Sequence, residues 1–440
     1  MAHPIITLLI CGLFFSINCT ITTSNETHIG IFTSEPPCNH TGWIETISNI
    51  TIVHLKGSFY EMGYQYGSLL HDDIIRNLRG LVTLLDLFNV TVDDCKALWD
   101  IQKNYIRQES IDYIQGTADA LNLELEEYAF MWVFEGIFYS LCTSYAAWND
   151  ATQNHELIHV RSMDGPWILY DPETHEAVQD YPVLVVADPD QGHAFLYPTY
   201  AGYVAEDGFN DQGISICSIW SPNYYERTVY GAPMGIRTLE VLYRASTAEE
   251  AITIITENET FGYNFILSDG KKPEGYVVES TVNHTYIGTW NNPCESNKPF
   301  WKIDSVVRRT NCFLNRTLAS LQREIYSPRD FRYVFNLIPN YGWFPIWSRF
   351  KAVSIGIEKS WGTLDLENSL QILRKVYRGG YTFFWSLICK KQGDIETWWQ
   401  WSICPRTGDM LISFATSAHY AFRNPYVYFN LYELLDSQPK

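Results

Sequence analysis

Near the middle of the sequence stand three residue types that could cooperate in covalent catalysis. A cysteine opens Cys142-Thr-Ser-Tyr-Ala-Ala-Trp148, and an arginine and an aspartate follow in His159-Val-Arg161-Ser-Met-Asp164. Both segments have strand-like composition, and the polar stretch at 149–156 predicts a hairpin that returns the second strand alongside the first. That return would bring Arg161 and Asp164 back to Cys142. A guanidinium beside a thiol lowers the thiol pKa and enriches the nucleophilic thiolate, while a carboxylate can orient an adjacent amine or thiol by hydrogen bonding. The same residues have a plainer reading. A cysteine in an oxidising compartment is commonly half of a disulfide, and an arginine three positions before an aspartate is commonly a weak surface ion pair. Spacing alone leaves both open. Other nucleophile signatures are absent, with no GxSxG elbow, Walker loop or CxxC pair in the sequence.

The elements that must position these residues can be read from periodicity. From Ser58 to about Phe130 the pattern is helical, with Leu98, Trp99, Ile106, Ile111, Ile114 and Leu121 apolar and Thr91 with Asp94 near a capping-box spacing. Two or three helices fit there. At Leu141 and Cys142 the period changes, and CTSYAAW, LIHVRSM, PVLVVAD, HAFLY and GISICSI read as short antiparallel strands. Helical spacing returns over Gly235–Ser246 and Thr247–Glu257, the second opened by Thr247-Ala-Glu-Glu250. Strands resume at FILSDG, YVVEST and HTYIGTW. Helical segments follow near Ser305–Leu321, Asp330–Leu337 and Leu366–Tyr377, then a hairpin-like pair around Cys389 and Cys404. Blocks of helices and strands predict an α+β layered architecture and not a parallel βαβ series.

Composition narrows the function classes. The 440 residues carry 31 basic and 50 acidic side chains, a net charge of −19. That balance argues against a nucleic-acid partner, which requires a clustered positive surface. Aromatics at 15% argue against a disordered chain. The apolar run Ile5–Phe15 is too short to span a bilayer, and with the polar stretch after it reads as a signal peptide over 1–18. Beyond the signal, seven acceptor sequons, at Asn25, Asn39, Asn49, Asn89, Asn258, Asn283 and Asn315, point to the same secretory route, secreted or lysosomal, without a transmembrane segment. Ten cysteines are present; setting aside Cys11 in the signal and Cys142 leaves eight, an even number able to pair in that compartment. Cys389 with Cys404, and Cys294 with Cys312, are near in sequence, but no pairing follows from spacing.

The segment Gly57-Ser-Phe-Tyr-Glu-Met-Gly63-Tyr-Gln65-Tyr-Gly67, the CTS start at Cys142 and the later Arg161-x-x-Asp164 together resemble the isopenicillin N acyltransferase family of N-terminal-nucleophile hydrolases. The CTS start with RxxD is also similar to acid ceramidase and its amide-hydrolase relatives. The resemblance runs from about Gly57 into the C-terminal strands. It implies a four-layer αββα sandwich made as a precursor that cleaves its own Leu141–Cys142 bond. An N-terminal helical segment, 19–141, would remain associated with a catalytic chain, 142–440. By this resemblance Cys142 is nucleophile, Arg161 lies against thiolate and substrate carbonyl, and Asp164 holds the new amino group. Asn264, in Gly262-Tyr-Asn-Phe, is the oxyanion candidate, and Arg308, in Asp304-Ser-Val-Val-Arg308, lies near the pocket.

The implied activity is cleavage of small N-acyl amides, or transfer of their acyl group, with no cofactor. A lipid esterase on the same fold and a non-catalytic carbohydrate- or lipid-binding glycoprotein are the alternatives. Bile-salt hydrolases of this kind carry an asparagine where this sequence has Trp220, which argues against bile-salt specificity. Tyr224, Tyr225, Trp343 and Trp347 are candidate walls for an acyl chain.

Overall fold

The computed structural model describes residues 42–133, 142–165, 169–221, 223, 225–322, 343–392 and 397–438. Two large sheets dominate it. The first has nine strands in the order β1-β2-β5-β6-β7-β8-β9-β10-β11. These are Trp43–Ile47 (β1), Ile50–Gly57 (β2), Pro182–Pro189 (β5), Phe195–Tyr200 (β6), Asp207–Asn210 (β7), Ile214–Trp220 (β8), Tyr263–Asp269 (β9), Glu274–Ser280 (β10) and Thr285–Gly288 (β11). The second has six, in the order β12-β3-β4-β13-β14-β15. These are Val306–Arg309 (β12), Thr143–Asn149 (β3), His155–Asp164 (β4), Thr397–Cys404 (β13), Asp409–Phe414 (β14) and Val427–Asn430 (β15).

Alternation along the six-stranded sheet separates two cores. Cys142, Ala146, Met163, Trp401 and Ile412 join one large core with the nine-stranded sheet and the N-terminal helices. Tyr145, Ala147, Ile158 and Val160 join a second core with the helices Trp343–Ser360 and Leu366–Tyr377. The mixed α+β class expected from the sequence is therefore present, with sheets packed on each other and helices outside. Among the described residues no helix is long and apolar enough to cross a membrane.

The N-terminal portion is not purely helical. Its five helices, Phe59–Leu69 (α1), His71–Leu87 (α2), Val92–Gln102 (α3), Gln108–Ala120 (α4) and Leu125–Val133 (α5), exceed the two or three expected. Strands β1 and β2 precede them. The β2 ladder with β5, Thr51↔Val183 through Gly57↔Pro189, is parallel and ties this portion into the nine-stranded sheet. Local chemistry explains where α1 and α3 begin. Ser58 with Glu61 and Thr91 with Asp94 both form complete capping boxes. The glycines of the 57–67 motif serve packing: a Cβ on Gly63 would sit 2.0 Å from the Tyr113 carbonyl oxygen, and one on Gly67 would sit 2.7 Å from that of Thr117. Only glycine lets α1 and α4 approach that closely.

Later elements are Met234–Arg244 (α6), Ala248–Thr256 (α7), Arg316–Leu321 (α8), Trp343–Ser360 (α9), Leu366–Tyr377 (α10), Phe383–Gln392 (α11) and Leu431–Asp436 (α12). Thr247 caps α7 through the Glu250 amide, but the Glu250 carboxylate returns to the Ser246 amide, so the box is shifted by one residue. The helix expected over Ser305–Leu321 is instead β12 followed by the short α8. Two consecutive valines and two arginines with inward partners favour a buried strand there. Cys389 lies on α11 and not in a hairpin with Cys404; the partner strand of β13 is β14. The segment Asp330–Leu337 lies outside the described residues.

Candidate active site

The β3–β4 hairpin forms as its spacing implies. Register pairs Thr143 with Ser162 and Ser144 with Arg161, which sets Cys142 opposite Met163. The Cys142 Sγ lies 3.8 Å from Met163 Sδ. Because side chains alternate, Cys142, Arg161 and Met163 face the space between the sheets, whereas Thr143, Ser162 and Asp164 face the helices. Thiol and guanidinium thus share one face of the hairpin end, and the carboxylate occupies the other. The backbone of Cys142 runs between them. All three residues are buried, and Leu141, the residue before Cys142, lies outside the described residues.

Arg161 is held from one side only. Its Nε donates to Asp207 Oδ2 at 3.1 Å, and its Nη2 lies 3.4 Å from Met163 Sδ and 3.6 Å from Glu206 Oε2. Burial works against its charge, but the fields of Cys142, Cys217, Asp207 and Glu206 prevail and hold its pKa above the usual arginine value. Nη1 is buried without a hydrogen-bond partner. An unpaired buried donor is costly in a finished structure and marks a place where a ligand atom can be met. Asp207 is itself fixed by the indoles of Trp399 at 3.0 Å and Trp401 at 2.9 Å. Nothing in the sequence spacing pointed to Asp207 or Glu206, because they come from β7 and the loop before it.

His159, two residues upstream on the same face, is not poised as a base. Burial first, and the nearby Arg161 second, depress its pKa to about 3. The neutral ring spans the sheets, bonding to Ser144 at 3.1 Å on one side and to Ser215 at 2.8 Å on the other.

On the helix side, Asp164 accepts from Ser162 Oγ at 2.8 Å and from the Tyr377 hydroxyl. Arg349 Nη1 lies 3.9 Å from its Oδ2. Burial raises the Asp164 pKa to about 6, and Arg349, Tyr377, Ser162 and Arg161 keep it from rising further. Arg349, on α9, also reaches Cys142. Its Nη2 donates to the Cys142 carbonyl oxygen at 3.1 Å and to Asn311 Oδ1 at 2.6 Å. Asn311 in turn donates to the Trp220 carbonyl at 2.7 Å. Sequence reasoning missed Arg349 and Asn311. No local sequence signal marks either residue, since both reach the site through tertiary packing.

Two candidates lie elsewhere. Asn264 sits in β9 with Nδ2 donating to the carbonyls of Thr310 at 2.9 Å and Cys312 at 3.0 Å. Those bonds occupy both amide hydrogens and pin the chain that carries Asn311. Arg308 is a buried strand residue and not a solvated helical one. It pairs across the ladder with Tyr145, on the helix face opposite the Cys142 side chain. It donates to Ser354 at 2.6 Å and lies over Phe350, 4.9 Å from the ring centroid, with burial lowering its pKa to about 10. Of the aromatics expected to wall an acyl site, two have described side chains. Trp347 packs edge-on to Phe300 at 5.4 Å in a separate small core, Tyr225 is 77% exposed, and Tyr224 and the Trp343 side chain lie outside the described residues. Trp220 stacks on Phe261 at 6.3 Å. Cys95, Cys142, Cys217, Cys294, Cys312 and Cys404 are free thiols, so the expected disulfides do not occur among them; Cys294 and Cys312 share a small core unbonded. Cys19 and Cys38 and the Cys389 side chain lie outside the described residues. Among the described residues, no three His, Cys, Asp or Glu side chains converge as a metal site.

No protein-family model matches the chain. Among curated proteins it is similar to Protein dcd1A of Dictyostelium discoideum, 26% identical over 278 residues, covering 57% of this chain and 63% of that protein. Protein dcd1B of the same organism is 22% identical over 235 residues, with 47% and 45% covered. An uncharacterized protein of Archaeoglobus fulgidus is 21% identical over 393 residues, with 78% and 61% covered. The chain therefore spans less than two thirds of the length of the curated relatives it matches. Among solved structures it is similar to penicillin V acylase from Agrobacterium tumefaciens, with a TM-score of 0.41 and 15% identity, covering 66% of this chain and 87% of that one. A variant of the conjugated bile acid hydrolase from Clostridium perfringens matches with a TM-score of 0.39 and 14% identity, covering 66% and 93%.

Proposed function

We propose that this chain is the precursor of a cysteine N-terminal-nucleophile amidohydrolase or acyltransferase acting on small N-acyl amides. The carrying observation is the Cys142 hairpin end, with the thiol and the half-paired Arg161 on one face and buried Asp164 on the other. Cleavage of the Leu141–Cys142 bond would free an α-amine, whose ordinary pKa is near 8. That amine takes the thiol proton as the sulfur attacks the amide carbonyl, so no histidine is needed. This fits a site whose one nearby imidazole is held neutral as a strut. Arg161 Nη1 is placed to donate to the oxyanion, and Asp164 accepts from the amine. The tetrahedral intermediate expels the substrate amine, which takes the proton back, leaving a thioester at Cys142. Water resolves that thioester in hydrolysis; a second amine resolves it in acyl transfer.

The cleaved chains would stay together, because β2 lies in the nine-stranded sheet beside β5. The protein would mature in the secretory pathway and act outside the cell or in a lysosomal lumen. In support, the sequon asparagines Asn49, Asn89, Asn258 and Asn283 are exposed.

Replacing Cys142 with alanine tests the proposal. The variant should fold, remain uncleaved and lose amidase activity on N-acyl amide substrates. Full processing or retained turnover would rule the proposal out.

A further inference from the structure

Helix α11 opens with phenylalanines that the core does not take up. Its inward anchor is Trp385, buried, with its indole donating to the Val376 carbonyl at 2.6 Å. With Trp385 turned in, Phe383, Phe384 and Leu387 are turned out, at 77%, 65% and 42% exposure. The two phenylalanine rings meet edge-on at 6.0 Å. Large apolar side chains clustered in water, one helical turn apart, call for a partner.

The chemistry beside them says which. Tyr381, two residues upstream, lies under Lys375, whose Nζ is 4.7 Å from the ring centroid, and near Lys359 at 6.0 Å. A groove of about 370 Å³ between α9 and α10 is lined by Ser360, Lys375, Arg378 and Tyr381 among others. Lys359, Lys375 and Arg378 are exposed, and none forms an ion pair with a described carboxylate. The acidic neighbours Glu358 and Glu367 accept from Trp301 at 2.8 Å and Tyr426 at 2.6 Å. Three exposed cations, Arg378 also donating to the Phe422 carbonyl at 2.8 Å, stand together on a chain of net charge −19, against the sign of the whole molecule.

We propose that this corner is a docking surface for an anionic lipid bilayer. Phe383, Phe384 and Leu387 enter the headgroup–acyl boundary, where aromatic rings partition well. Lys359, Lys375 and Arg378 meet the anionic headgroups within a Debye length. The acidic bulk of the chain is repelled by the same surface, which favours an orientation with this corner facing it. A second copy fits less well, since a two-fold contact would oppose one cationic cluster to another. The proposal stands independently of the chemistry assigned to Cys142.

The test is co-sedimentation of the full glycoprotein with vesicles of phosphatidylcholine alone or mixed with phosphatidylserine, at low and physiological salt. Two double variants at exposed positions, Phe383→Ser with Phe384→Ser and Lys359→Glu with Lys375→Glu, are compared after thermal melts confirm folding. Binding to phosphatidylserine vesicles should be salt-sensitive and should weaken about tenfold or more in each variant, with little binding to phosphatidylcholine alone. The proposal is overturned if the parent ignores phosphatidylserine vesicles, if it binds neutral vesicles equally well, or if the variants bind like the parent. Self-association abolished by the phenylalanine substitutions, without vesicle binding, would also overturn it and assign the face to a second copy.

Discussion

Arg349 Nη2 lies 3.1 Å from the carbonyl oxygen of Cys142, although 207 positions separate the two residues in sequence. The same guanidinium reaches Asn311 at 2.6 Å and stands 3.9 Å from Asp164. One buried cation therefore ties the peptide of the proposed nucleophile to the carboxylate proposed to hold its amine.

Replacing Arg349 with glutamine should remove both services. Leaving a buried carboxylate and a carbonyl with fewer partners should destabilise the fold by on the order of 3 kcal/mol. In protein that still folds, kcat/KM should fall about 100-fold. With a compensating cation gone, the Asp164 pKa should rise above its value of about 6, and the acid limb of the pH–rate profile should move upward with it. A purely structural role would lower stability and leave that limb in place.

Stability should fall as pH rises from about 6.5 to 8. Glu259 is buried beside Arg237 with neither carboxyl oxygen hydrogen-bonded, and burial raises its pKa to about 8. The native state then holds this proton more tightly than the unfolded chain does. The contribution is fully present near pH 4 and is lost as pH rises through about 8, in amount on the order of 3 kcal/mol. Asp164, raised to about 6, acts in the same direction over a lower window. Thermal unfolding from pH 6.5 to 8, above the window in which the depressed His159 acts in the opposite direction, should show the midpoint falling, and Glu259→Gln should flatten that fall. An unchanged slope in the variant would assign the pH dependence elsewhere.

After processing, the chain ending at Leu141 and the chain beginning at Cys142 should co-elute in gel filtration with reductant present. The parallel β2–β5 ladder and the close α1–α4 packing that supports β2 are non-covalent, and the described thiols are free. Separation should require denaturant. Release of the N-terminal chain by reductant alone would show that a disulfide joins them.

Much of the fold was legible because its signals are local. The alternation in 143–164 announces a hairpin whose register follows from its polar turn, so Cys142, Arg161 and Asp164 could be brought together on paper. The change of period read at Leu141 and Cys142 falls just before β3 begins at Thr143. Arg349, Asn311, Asp207 and Glu206 were not legible, because each reaches the site through tertiary packing of elements far apart in sequence. Asn264 and Arg308 were misjudged for a related reason. Both are inward-facing strand residues, but Asn264 is consumed by backbone carbonyls and Arg308 emerges on the face away from the thiol. Spacing can show that a residue is near the hairpin; it cannot show on which side.

The most direct measurement is N-terminal sequencing, with intact mass, of the purified mature protein. The account predicts a second N-terminus reading Cys-Thr-Ser-Tyr from position 142, a free α-amine and thiol there, and a chain of residues 142–440. A single uncleaved polypeptide, or Cys142 held in a disulfide, would contradict it.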